Sequence, residues 1–289
     1  MVKVNKEVFP KKAGKSLSLK DLDAKKPFPI PKSITQVGHI IMVNELPPGG
    51  DQYKKVIGNA LKTNFNASGV FLKTEEMEGQ KRVAKWSRLA GKRAPIAIHN
   101  ESGFYYVVDF SKVFFNPRMG GERRRVSSMT QEGEKFIDMF TGVGPFAIPM
   151  AKKGGKGYAI DINSAAIKLL KINIQLNRVK EKLVPVLGDA KEVVKTIEEK
   201  VDRIIMNYPE NSFEFLDTAL FALKKKGVIH FYCFSWGESE KQALHAVKKE
   251  ISGFFIRKRY VITHIRENIV LQVAPAKYLV VLDLTIEAS

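Results

Sequence analysis

Asp138-Met139-Phe140-Thr141-Gly142-Val143-Gly144-Pro145-Phe146 is the stretch from which the fold can be read. The apolar run Lys135–Phe140 predicts a strand, and Pro145, suited to a first helical turn, opens a helix that runs to Lys152. Between them two glycines let the backbone pass close to a ligand. Outward from this loop the chain alternates regularly. Strands are expected at Gly157–Ile160, Val184–Leu187, Val201–Met206 and Gly227–Phe234, separated by helices at Ser164–Asn177, Ala190–Lys200 and Phe213–Leu223. Such alternation demands a parallel, doubly wound α/β sheet with crossover helices on both faces. A helix at Lys241–Ile251 and strands at Arg257–Val261 and Tyr278–Ile286 complete it.

In a sheet of this kind ligands sit at the carboxyl ends of the strands, so the residues just after each strand carry the chemistry. Nicotinamide enzymes share the Gly142-Val143-Gly144 pattern, but Ala147 stands where their third glycine belongs, and the loop resembles that of class I methyltransferases. The second strand ends in Tyr158-Ala159-Ile160-Asp161-Ile162-Asn163, which puts a carboxylate about 20 residues after the loop, where it can accept both hydroxyls of a ribose. Two roles are open to Asp161: ribose acceptor, or cap of the helix that begins at Ser164. The third strand ends in Leu187-Gly188-Asp189-Ala190, where Asp189 can accept an exocyclic amine of adenine. The fourth ends in Asn207-Tyr208-Pro209-Glu210; the Asn amide and the carbonyl before proline can receive donors from a base edge, or the segment is simply a turn around Pro209.

The 289 residues allow a second, smaller domain, and charge says what it is for. The formal net charge is +18, and it is unevenly spread: residues 1–130 hold 24 Lys and Arg against 11 Asp and Glu, the rest 24 against 19. A basic first half joined to a near-balanced second half predicts a polyanion-binding module on a catalytic one. Residues 1–30 read as a basic tail or reduced N-terminal region, residues 31–121 as a small α+β RNA-binding domain, and residues 122–289 as the Rossmann-like domain. In the small domain short apolar runs alternate with turns, with a helix near Tyr53–Lys62 and a hairpin around Asn100-Glu101-Ser102-Gly103. The single cysteine, Cys233, excludes an internal disulfide and any cysteine-based zinc site, and fits a reducing, cytoplasmic setting. No run of 18 apolar residues points to a membrane, and the histidines, His230 among them, show no metal-ligand spacing.

Taken together these residues resemble the archaeal and eukaryotic tRNA (guanine-37-N1)-methyltransferase family, which is related to the wybutosine-pathway aminocarboxypropyl transferases. The resemblance runs from about Val37 to Leu284 through Leu89-Ala90-Gly91, Ile98–Gly103, Lys112–Arg118, Glu122-Arg123-Arg124-Arg125, the Asp138–Phe146 loop, Tyr158–Asn163 and Ala274-Pro275-Ala276-Lys277-Tyr278. Its most specific part is the Pro-Arg-x-x-x-Glu-Arg run at 117–123. The resemblance implies a class I methyltransferase that uses S-adenosyl-L-methionine and acts on tRNA at position 37; the chain is expected to work as a monomer, and no residues are singled out as metal ligands. It implies that Arg82 contacts the guanine O6, that Glu122 accepts the N1 proton, and that Asn207 orients base and cofactor. Arg123, Asp138, Phe140, Gly142, Gly144, Asp161, Ile162, Asp189, Ala190, Asn207 and Pro209 would hold the cofactor. Read without the resemblance, Arg82 and Arg123 are general phosphate contacts and Glu122 a partner of Arg125 or another arginine.

Two features depart from the family. Tyr208 replaces the leucine usual after the catalytic Asn, and the family's usual N-terminal domain is expected to be missing or reduced to residues 1–30. Three other functions compete with guanine N1 methylation: methylation of C7 in a tricyclic wyosine precursor at the same position, aminocarboxypropyl transfer from the same cofactor, and a catalytically silent tRNA-binding role. The last fits poorly with Glu122, Asp161, Asp189 and Asn207 all being present.

Overall fold

The computed structural model describes residues 31, 33–78, 83–256 and 258–288. The expected tail, residues 1–30, and Arg82 and Arg257 therefore lie outside the described residues. The chain divides into two compact units at Pro117 and Arg118. This is four residues ahead of the boundary expected from the sequence, because the charged run Glu122–Arg125 lies inside a helix, Gly120–Ser128, that belongs whole to the second unit.

In the first unit β1 (Ile34–Val37) and β2 (Ile40–Val43) form an antiparallel pair. From β2 the chain crosses through α1 (Lys54–Asn64) to β3 (Gly69–Glu78), which runs parallel to β2, and then returns antiparallel as β4 (Val83–Gly91). The sheet order is β1-β2-β3-β4. Helix α1 buries Ile57 and Leu61 against Ile41, Val43, Val70 and Leu89. It lies so close that a Cβ on Gly58 would fall 2.7 Å from that of Leu89. β5 (Ile96–Glu101) and β6 (Phe104–Asp109) form the expected hairpin, and both central turn residues, Ser102 and Gly103, take positive φ as a tight two-residue turn requires. β4 and most of β3 have no apolar run to announce them. Charged residues interrupt the apolar ones there, and Lys85 pairs with Glu75 across the strands at 2.8 Å.

The second unit opens with α2 (Gly120–Ser128) and then alternates: β7 (Lys135–Asp138), α3 (Ala147–Lys152), β8 (Lys156–Asp161), α4 (Ser164–Leu176), β9 (Leu183–Leu187), α5 (Ala190–Thr196), β10 (Val201–Met206), α6 (Leu216–Ala222), β11 (Leu223–Trp236) and α7 (Glu240–Phe255). The hairpin β12 (Tyr260–Ala274) and β13 (Lys277–Ala288) ends it. Seven strands form one sheet in the order β12-β13-β11-β10-β7-β8-β9, in which β13 alone runs against its neighbours. Ile137, Ile160, Ile204, Met206, Phe231, Leu282 and Leu284 fill the core beneath the helices. The strand expected at Arg257–Val261 proves to be a 15-residue edge strand displaced toward the C-terminus. Its polar positions His264, Arg266, Asn268 and Gln272 disguise it, as suits an edge that must not pair with another chain. Strand order reverses on either side of β7, so the crevice that a doubly wound sheet offers a ligand opens at the carboxyl ends of β7 and β10. No helix among the described residues is long and apolar enough to cross a membrane.

Candidate active site

The loop that follows β7 is stitched to the ends of its neighbours. The Thr141 N–H donates to the Ile160 carbonyl of β8 at 2.8 Å, the Met139 N–H to the Ile205 carbonyl of β10 at 3.0 Å, and the Gly188 N–H after β9 to the Asp161 carbonyl at 3.1 Å. Gly144 has φ 89°, and a Cβ there would come within 2.5 Å of Leu170 and 2.9 Å of Ile148. Both the backbone conformation and the space therefore demand glycine.

Asp161 serves this loop directly. Its Oδ2 accepts the Gly142 N–H at 2.7 Å and its Oδ1 the Asn163 N–H at 2.8 Å. Burial pushes its carboxyl up, and these two hydrogen bonds oppose the rise. The cap of α4 is Asn163, whose side chain accepts the Ala165 N–H at 3.0 Å, so the capping role open to Asp161 in the sequence falls to its neighbour. Asp189 does cap a helix. Its Oδ1 accepts the Lys191 N–H at 2.7 Å at the start of α5, while the side chain stays exposed beside buried Ala190. Two apolar side chains stand in solvent at these strand ends, Ile162 at 40% and Leu187 at 54% exposure. Leu187 has no polar signal by which sequence reading could single it out.

Asp138 is 1% exposed. Its Oδ1 takes the Phe140 N–H at 3.4 Å, and its Oδ2 has no hydrogen-bond partner among the described residues. Burial pushes the carboxyl up to about 7, and the bond from the Phe140 backbone opposes the rise. A buried carboxylate oxygen left unmatched is costly unless a donor arrives from a ligand.

After β10, Asn207 and Tyr208 are partly exposed and Pro209 is buried. The segment is more than a turn. The Phe140 ring of the glycine loop lies 5.1 Å from Tyr208 and 4.8 Å from Phe215, and the Ser212 hydroxyl donates to the Tyr208 carbonyl at 2.8 Å. The Pro209 carbonyl accepts the Phe234 N–H at 3.3 Å, which ties the segment to β11. Tyr208, the departure from the family pattern, thus packs against the glycine loop.

Glu122 and Arg123 lie buried on α2. Arg125, three residues on, forks onto Glu122 through Nε to Oε2 at 2.8 Å and Nη2 to Oε1 at 2.7 Å. This is the ion pair that the sequence offers as the alternative role for Glu122. A third donor comes from far along the chain: the Tyr232 hydroxyl, 2.6 Å from Oε1. The Tyr232 ring packs 5.6 Å from Phe146, the last residue of the glycine loop, and so links Glu122 to that loop.

A seven-stranded sheet of this order, with a glycine loop after its central strand and acidic residues after the next two, defines a class I, Rossmann-like methyltransferase. The chain belongs to the TRM5/TYW2 methyltransferase family: that domain matches residues 97–254, and the TYW2 N-terminal domain matches residues 18–94. It is 39% identical over 256 residues to the tRNA (guanine(37)-N(1))-methyltransferase Trm5b of Pyrococcus abyssi, covering 88% of this chain and 74% of that protein. To the tRNA 4-demethylwyosine(37)-methyltransferase Taw21 of Saccharolobus solfataricus it is 31% identical over 260 residues, 88% of this chain and 93% of the other. Among solved structures, the complex of aTrm5 with tRNALeu superposes with a TM-score of 0.80 at 34% identity, covering 98% of this chain and 82% of the other.

Proposed function

We propose that this protein transfers a methyl group from S-adenosyl-L-methionine to N1 of the guanine at position 37 of tRNA, the activity named for its Trm5b relative. The observation that carries the reading is the buried carboxylate of Glu122, joined through Tyr232 to Phe146 of the glycine loop. When bound, S-adenosyl-L-methionine supplies the methyl group on a sulfonium.

The residues present fit that cofactor. Gly142 and Gly144 give close backbone approach, and each Asp161 oxygen, having accepted one N–H, retains a lone pair for a ribose hydroxyl. Asp138 Oδ2 offers an unmatched buried acceptor, exposed Asp189 an acceptor for the adenine amine, and Ile162 and Leu187 apolar flanks for a planar ring. Arg123, Phe140, Ala190, Asn207 and Pro209 complete the set that the family resemblance assigns.

Guanine N1 is protonated and weakly nucleophilic, so a base must take its proton as the new bond forms. Glu122 is that base. Its three hydrogen bonds leave one of its roughly four acceptor positions for the N1–H. General base catalysis is worth about 10²–10⁴-fold, and a cation at O6, the role carried here by Arg82, would stabilise the charge that develops there. Asn207 holds the base edge. Reaching that edge requires the nucleotide to leave its loop stack. The basic first 130 residues supply the charge that holds the RNA backbone.

A second reading, C7 methylation of a wyosine precursor, is supported by the likeness to Taw21 over 93% of its length and by Tyr208 beside the glycine loop. One experiment separates the two. The protein is incubated with labelled cofactor and tRNA carrying guanine, adenine or the tricyclic precursor at position 37, and the product nucleoside is identified by mass spectrometry. N1-methylguanosine from the guanine transcript supports the first reading; label on the tricyclic base alone supports the second, and an aminocarboxypropyl adduct overturns both.

A further inference from the structure

Glu122 is one end of a chain of buried charges within the second unit. The guanidinium that forks onto it is held on its far side by Asp283 of β13, Nη1 to Oδ2 at 2.5 Å and Nη2 to Oδ1 at 3.0 Å. Asp283 Oδ1 also accepts from Nδ1 of His230 on β11 at 2.6 Å. Nε2 of that ring accepts from Arg203 Nη1 of β10 at 2.7 Å, and Arg203 Nε donates to Glu134 at 2.6 Å. With Tyr232 of β11 and Arg125 of α2 itself, these are the titratable and charged groups that hydrogen bonds link to Glu122 among the described residues. Helix α3, which packs on α2, brings Lys152, whose ammonium turns instead to the Asn177 carbonyl at 3.4 Å.

One guanidinium is therefore shared between two carboxylates. Burial holds the His230 imidazole below its ordinary range against the opposing bond and charge of Asp283, with the Arg203 and Arg125 charges adding to the fall, so the neutral ring donates to Asp283 without cancelling its charge. Burial alone would raise the Asp283 carboxyl, but the bonds from His230 and Arg125 hold it well below the usual carboxylate range, so it is charged. Glu122, Arg125 and Asp283 together carry one net negative charge. Without the Asp283 charge, Arg125 would belong wholly to Glu122 and make it a weaker base. Tyr232 acts in the same sense as Arg125. Burial and the Glu122 charge hold its hydroxyl well above its ordinary value, so it is a permanent donor to the carboxylate.

We propose that Asp283 and Tyr232 are positioning residues that set the basicity of Glu122 from opposite directions, Asp283 by drawing part of the Arg125 charge away and Tyr232 by donating a hydrogen bond. The inference rests on the reading of Glu122 as the base. It predicts opposite displacements of one pH profile, which loss of packing cannot produce.

The test is the single-turnover rate of methylation of a tRNA transcript with guanine at position 37, measured from about pH 5.5 to 9 with saturating cofactor. Asp283→Asn should move the rising limb about one unit toward acid and lower the plateau about three- to tenfold. Tyr232→Phe should move the limb toward alkali, and Asp283→Glu, which keeps the charge, should leave it in place. In a Glu122→Gln background neither Asp283→Asn nor Tyr232→Phe should have a further effect on the profile. An unmoved limb in both single variants, or displacement of both in one direction, overturns the inference. If circular dichroism shows Asp283→Asn unfolded at the assay temperature, Tyr232→Phe decides alone: an alkaline displacement supports the inference and an unmoved limb overturns it. Parental rates from Glu122→Gln itself would instead remove the base assignment, a separate failure.

Discussion

The Gly142 N–H donates to Asp161 Oδ2 at 2.7 Å, so the carboxylate expected to hold a ribose also holds the glycine loop that must pass beside it. Asp161→Ala should then remove cofactor binding twice over, by losing charge-assisted hydrogen bonds of about 1.5–3 kcal/mol each and by releasing the loop. Asn163→Ala is the matched control. It removes the actual cap of α4, costing about 1 kcal/mol of stability while leaving cofactor affinity within a few-fold of the parent. Calorimetric titration with thermal melts separates the two, and equal affinity in Asp161→Ala and parent would reject the ribose role.

Asp138 makes the stability of the cofactor-free protein depend on pH. Its carboxyl is raised from an ordinary 3.8 to about 7 by burial, so between those values the folded chain holds a proton that the unfolded chain has released. Its contribution to stability is full below pH 3.8 and is lost as pH rises through about 7. Asp138→Asn should therefore stabilise the cofactor-free protein by about 2–4 kcal/mol at alkaline pH and flatten the fall in melting temperature between about pH 4 and 7. An undiminished fall in the variant would place the titrating group elsewhere.

The N-terminal unit should bind RNA chiefly through phosphates. Lys92 and Arg93 follow β4 and are exposed. Neutralising either one to Ala should weaken tRNA binding at low salt and reduce the slope of log affinity against log salt by about one. Filter binding across a salt series tests it, and a salt-insensitive dissociation constant in the parent would reject phosphate contacts as the main source of affinity.

The strand-end residues of the site are legible in the sequence, because the strand–helix alternation places Asp138, Asp161, Asp189 and Asn207 at carboxyl ends before any contact is known. The surroundings of Glu122 are not, because Tyr232 lies 110 positions from Glu122 along the chain and Asp283, which reaches it through Arg125, lies 158 positions from that arginine. A signal was nevertheless there. His230 and Asp283 each interrupt an apolar strand, and they stand directly opposite one another in the β11–β13 ladder. A polar residue inside a buried strand needs a partner, and two such strands suggest that each is the other's. β4 and β12 are hidden for the converse reason: their charged, exposed positions break the apolar pattern that marks a strand.

Glu122 as base and Arg82 as the O6 partner give the sharpest prediction. Glu122→Gln keeps the shape and one acceptor but removes basicity, while Arg82→Ala removes the cation proposed to act only when negative charge develops on the base. Each should lower the single-turnover rate tenfold or more, about 1.4 kcal/mol, with little change in cofactor affinity. The surroundings of Glu122 add a second, independent consequence. Arg125 would lose one of its two carboxylates and keep Asp283, so Glu122→Gln should also lower the melting temperature, whereas Arg82→Ala should be judged on rate alone. The rate of Glu122→Gln should lose the rise with pH that a titrating carboxylate gives the parent. A variant that is destabilised yet methylates guanine at the parental rate across that range would show Glu122 to be only the partner of Arg125. A variant inactive on guanine but active on the tricyclic precursor would favour carbon methylation, because attack through C7 does not require the same deprotonation at N1.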